Sequence, residues 1–202
     1  MRNPNETGPQ TPIGAQTLEA AEFVLKDANG MVGARLSMGL NGPQLLLFDT
    51  SGNPRVTLGV TDQGPAIALC NSAGKVCASL SVTNDKPVLR FSDAKGESRA
   101  GITVRDDVST LTVADASGKT RASLGVSENG AALHLYNRSG EPRAWLIVTD
   151  EGQGLEICGS TGPAMIIATP DLQNPQTGRK SKHAAARIHL FDHKGAVIWS
   201  AP

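Results

Sequence analysis

Aromatic side chains are scarce in this chain: Phe, Trp and Tyr together make up 3% of its 202 residues. Rings usually dominate a globular core, so any core here must be thin and aliphatic. Cysteine is nearly absent as well. Cys70, Cys77 and Cys158 form an odd set with no CxxC pair, which supports neither a disulfide framework nor a zinc site. Charge of one sign is also missing, because 19 basic side chains balance 19 acidic ones. That neutrality argues against a global electrostatic fit to nucleic acid or anionic lipid, though not against a local patch. No apolar run approaches the ~18 residues of a membrane helix, and the first residues hold no apolar signal segment. A cytoplasmic location is the default expectation, with a cell-surface or virion role left open.

What the chain has instead is glycine, 22 residues of it, placed with a period. Gly30, Gly52, Gly74, Gly96, Gly118, Gly140 and Gly162 follow one another in steps of 22 residues. The pattern returns at Gly195 after an 11-residue insertion. Each unit reads apolar-x-apolar-x-Asp-x-x-Gly-x-x-Arg-Ala-x-Leu-x-Val and then turns again, as in LLLFDTSGNPRVTLGV (45–60) and LTVADASGKTRASLGV (111–126). Residues 1–16 lack the period and read as a disordered or extended arm. Residues 17–202 read as a single β-repeat domain with an insertion loop around 170–186.

Inside a unit the alternation has period two, the signature of strands. Leu45 and Leu47 precede the glycine; Val56, Leu58 and Val60 follow it, with polar or small residues between. Each unit is therefore two strands with one apolar and one polar face. Register parity then bears on the turns. A three-residue loop with a G1 bulge would set Leu47 against Arg55 and mix the faces. The expectation is a two- or four-residue loop that pairs Leu47 with Val56 and Leu45 with Leu58. At the second turn, x-Gly pairs such as Asn41-Gly42 and Asn129-Gly130 are expected to form the hairpin loop. The Asp or Asn that opens the first turn can collect backbone N–H groups.

About eight such units predict an all-β fold, an antiparallel meander that coils or folds over, with a β-solenoid as the alternative. A flat sheet of sixteen strands would run ~75 Å and leave its apolar face wet. Curling, sandwiching or self-association must follow.

The D-x-x-G-x-x-R-A-x-L unit resembles the tandem two-strand repeats of uncharacterised bacterial proteins. It is distantly similar to the YD repeats of Rhs-type proteins, which set an aromatic and an Asp before a Gly turn. Phe48-Asp49, Tyr136-Asn137 and Phe191-Asp192 are the matching pairs here. The resemblance spans roughly residues 22–202, implies a β-repeat scaffold and brings no catalytic residues. Rhs arrays form shells around a cargo, and eight units are too few for that.

Candidate interaction residues fall in two groups. Arg55, Arg99, Arg121 and Arg143 share one position in four units, with Cys77 in a fifth. Such a row could hold an acidic polymer, glycan or nucleic acid, or simply pair with nearby acids. Arg179, Lys180, Lys182 and Arg187, with His183, form a basic cluster in the insertion. Cys70 and Cys77 fall opposite each other in the expected register, either as a disulfide or as two thiols. Trp145 and Trp199 replace the usual Ser or Ala, as anchors on an exposed face or, for Trp199, as a cap on the last strand. The unit around Asp106-Asp107-Val108 loses its second-turn glycine. His189 and His193 are too far apart along a strand to share a metal.

No nucleophile triad, P-loop or dinucleotide fingerprint is present, and no cofactor is expected. The reading is a non-enzymatic structural or interaction scaffold that self-associates through apolar or edge surfaces, its partner being itself or another protein. A binding module for an acidic polymer is the alternative. No membrane partner is expected, since aromatic girdles are missing.

Overall fold

The computed structural model describes residues 19–150, 152–159, 162–168 and 187–201, and these form sixteen strands with no helix among them. The first eight are β1 (Glu22–Lys26), β2 (Val32–Gly39), β3 (Gly42–Phe48), β4 (Pro54–Thr61), β5 (Gly64–Cys70), β6 (Val76–Thr83), β7 (Lys86–Ser92) and β8 (Ser98–Arg105). The rest are β9 (Val108–Ala114), β10 (Thr120–Ser127), β11 (Gly130–Tyr136), β12 (Pro142–Thr149), β13 (Gly152–Cys158), β14 (Pro163–Ala168), β15 (Arg187–Phe191) and β16 (Val197–Ala201). Every strand pairs antiparallel with its neighbours in sequence, in one sheet ordered β1 to β16. This is the meander; the parallel stacking of a solenoid does not form. The sheet is open, with one free edge on β1 and one on β16. Among the described residues no helix is long and apolar enough to cross a membrane. The arm at 1–16 and the insertion loop around 170–186 lie outside the described residues.

The expected register holds, yet the turn that produces it differs. Leu47 pairs with Val56 and Leu45 with Leu58. The loop between them has three residues, Thr50, Ser51 and Gly52, the geometry that parity argued against. The Gly52 N–H donates to the Asp49 carbonyl at 2.9 Å, and the Asp49 N–H donates to the Asn53 carbonyl at 2.9 Å. Gly52 takes φ 80°, a left-handed conformation that an L side chain rarely adopts. The Asp49 carboxylate braces the loop by accepting the Ser51 and Asn53 N–H groups. The resulting one-residue shift is then undone. Phe48 pairs with Pro54, and a bulge at Arg55 returns Leu47 to Val56. Two odd shifts cancel, so parity sees only their sum.

The same loop and bulge recur down the sheet. Gly30, Gly74, Gly96, Gly118, Gly140 and Gly195 all take φ between 73° and 89°. The pairing around Gly162 differs from the other units. There Gly159 stands in the Asp position, without a carboxylate to gather the loop N–H groups. The Gly159 N–H donates to the Gly162 carbonyl at 2.7 Å, and Met165 faces Ile157.

At the second turn the glycine is not in the loop. Gly64 is the first residue of β5 and pairs with Thr61, so the loop is Asp62-Gln63. A Cβ on Gly64 would lie 2.0 Å from the Val82 carbonyl oxygen, and Gly64 takes φ 114°. Close approach of backbone, rather than a type I′ turn, requires glycine there. Among the described residues the loop adopts positive φ only at Asn84 (50°) and Asp85 (62°), where Lys86 replaces the glycine. At Asp106-Asp107 the pair is Arg105 with Val108 and neither loop residue has positive φ.

Candidate interaction surface

Register carries side chains of one kind along the whole sheet. The central row on one face runs Phe23, Leu36, Leu45, Leu58, Ile67, Leu80 and onward through Leu89, Ile102, Leu111, Leu124, Leu133, Leu146, Leu155, Ile167 and Ile188 to Ala201. A parallel row on the first-turn side is apolar throughout, and one on the second-turn side holds Met38, Val60 and Val82 opposite prolines, then Val104, Val126 and Val148 opposite Ser109, Ala131 and Gln153. Nothing in the described chain covers these rows. Leu80 is 51% exposed, Leu111 41% and Val126 51%. Roughly two dozen such half-exposed side chains, at about 45 Å² each, leave about 1,000 Å² of apolar surface in water. The largest patch on an ordinary monomer is roughly 300–600 Å².

The other face carries the arginine row, and each of its members is the bulge residue of its hairpin. The bulge turns Arg55 toward the neighbouring hairpin, where its Nε donates to the Cys70 carbonyl at 2.8 Å. Its guanidinium also meets Asp49 of its own turn at 3.3 Å. Arg99 reaches the Asp115 and Ala116 carbonyls of the following turn while paired with Asp93. Arg143 reaches the Gly159 carbonyl and pairs with Glu141 at 3.1 Å, and Arg121 lies 3.6 Å from Asp115. The guanidinium groups of Arg55, Arg99 and Arg143 thus staple one hairpin to the next. Cys77 fills the same position, and its thiol points toward the Asp93 carbonyl.

The turn carboxylates respond to these donors. Asp49 is held below the ordinary carboxylate range chiefly by the Asn53 N–H, Asp93 by the Arg99 guanidinium, and Asp115 by the Ser117 hydroxyl.

Several expected residues sit elsewhere than the sequence implied. Cys70 pairs with Val76, because the bulge at Cys77 moves that thiol off the opposite position, and none of Cys70, Cys77 and Cys158 is joined in a disulfide. Trp145 is 6% exposed and buried with Ile147 and Ala168 on the arginine face, so it is no exposed anchor. Trp199 is half exposed on the last strand. Arg187 opens β15 opposite Ala168, whereas Arg179, Lys180 and Lys182 lie outside the described residues.

Sequence reasoning missed the buried cluster. Its signal was the run Trp145-Leu146-Ile147, which breaks alternation by placing apolar residues on both faces of β12. Beside it, a groove of about 710 Å³ is lined by Thr110, Ser123, Ala132, His134 and Ile147 among others. His134 is buried opposite Trp145, and burial lowers its pKa, favouring the neutral ring. Compared with models of known protein families and with curated proteins, the chain matches none.

Proposed function

We propose that this protein is a non-enzymatic structural scaffold that self-associates through the apolar face of its repeat sheet. The observation that carries the reading is the wet apolar face, continuous over all sixteen strands. Its area of about 1,000 Å² exceeds the ~800 Å² that each partner contributes to a standard stable interface. Net charge of zero removes the long-range repulsion that would keep copies apart. The arginine row lends the acidic-polymer reading less support, since its guanidinium groups are engaged with turn carboxylates and carbonyls.

Sedimentation velocity tests the proposal. The wild-type chain is expected to sediment as an oligomer at micromolar concentration. Replacing two central-row residues, Leu111→Glu and Leu124→Glu, is expected to weaken association at least a hundredfold. A wild-type chain that stays monomeric up to about 100 μM would overturn it, since that is far weaker than a ~μM interface.

A further inference from the structure

The first-turn row of the apolar face is not smooth. Odd strands carry large side chains there: Leu25, Leu47, Leu69, Phe91, Leu135 and Ile157. Even strands carry Ala34, Ala78, Ala100, Ala122 and Ala144. The face is thus corrugated, with ridges and troughs alternating every ~4.8 Å and repeating every ~9.6 Å. Val56, Met165 and Trp199 fill troughs outside the middle of the sheet.

We infer that the layer covering this face is a second copy of the same chain, packed face to face with ridges seated in troughs. The inference rests on the self-association proposed above and adds its geometry. Inner faces of packed sheets interdigitate at ~10 Å separation. A surface lacking the two-strand period falls out of step with the corrugation within a few strands. A second copy has that period by construction.

Symmetry then sets the register. A twofold axis parallel to the strands and midway between two neighbouring strands reverses strand order and sets odd strands against even ones. Placed between β8 and β9, it gives the largest overlap. Ala100 then faces Val113 of the second copy, and Ala122 faces Phe91 of the second copy. From β5 to β12 large meets small at each step, which is what close packing of two identical layers needs.

A lipid surface fits less well. Successive rows on one face stand two residues apart, so the outer two of three rows are ~13 Å apart, against the ~25 Å apolar band of a membrane barrel. The strands have 7 or 8 residues from β2 to β13, short of the ~9–11 that a bilayer requires.

The test is to fill a trough. Ala122→Leu enlarges the apolar surface, so generic hydrophobic adhesion or lipid binding would strengthen. Interlocking predicts the reverse: association at least tenfold weaker by sedimentation, recovered when Phe91→Ala is added. Val56 already occupies the equivalent position in β4, so the sheet accommodates a larger side chain there. Unchanged far-UV circular dichroism confirms the fold of each variant. Association equal to or tighter than wild type for Ala122→Leu would overturn the interlock. If Leu111→Glu with Leu124→Glu still dissociates the chains, self-association survives that result. Flotation with phosphatidylcholine–phosphatidylglycerol vesicles supplies the remaining arm. Wild-type protein carried up with the vesicles as monomer would replace the second copy with lipid.

Discussion

The two faces of this sheet obey opposite rules. One is written alike in every unit, with Leu, Ile, Val or Ala at nearly every position, and it stands about half in water. The other drifts from Thr57 and Ala68 through Arg90 and Gly101 to His134 and Trp145 along a single row. It holds the buried residues Trp145, Ile147, His134 and His189. Apolar burial drives folding, so a sheet that folded for itself alone would place its uniform apolar face inside. On the self-association proposed above, the uniform face serves contacts beyond one chain, while the varied face holds the buried contacts within it.

Adjacent residues on β12 test that contrast most strongly. Trp145→Ala is expected to cost about 3 kcal/mol, because it empties a buried site. Leu146→Ala, one residue on and 47% exposed, is expected to cost about 1 kcal/mol in dilute protein. Denaturant melts at nanomolar concentration measure both. Equal losses would erase the distinction between the faces. At concentrations where the chain assembles, the cost of Leu146→Ala should grow and that of Trp145→Ala should not.

A smaller effect separates the turns of the arginine face from the apolar rows, which do not titrate. The carboxyls of Asp49, Asp93 and Asp115 have folded-state pKa values below their unfolded ones. Their contribution is full above the unfolded pKa near ~3.9 and is lost as pH falls through the lower folded values. The thermal midpoint is therefore expected to drop by a few degrees below about pH 4. Asp93→Asn should flatten that drop without breaking the loop. Asn71 and Asn137 already brace the same loop with an uncharged oxygen. A variant whose acid slope matches wild type would count against the stabilising role of this carboxylate.

Much of the fold was legible because it repeats. The period of 22 residues fixed the number of strands, and the alternation of Leu45, Leu47, Val56 and Leu58 fixed the faces and register. The loops were misread for a definite reason. A three-residue loop and a bulge at Arg55 each shift register by one, and alternation records only the total. The role of glycine at position 64 was also hidden, since its neighbour is the Val82 carbonyl at the far end of the paired strand β6, outside the turn that Gly64 follows. The residues of that turn hold no information about the distance. The arginine row was visible as a row, but its direction depends on the bulge that parity cancelled. Trp145 read as an exposed anchor because its unit position is usually small; its burial comes from Ile147 and Ala168, which the repeat does not specify.

Solvent access to the apolar face is the central matter, and hydroxyl-radical footprinting of the wild-type chain reads it directly. At concentrations where the chain assembles, Leu58, Leu80, Leu111 and Leu124 should be protected several-fold relative to the diluted protein. Exposed first-turn residues such as Lys95 and Lys119 should react equally in both. Central-row leucines that react alike at every concentration would contradict the account.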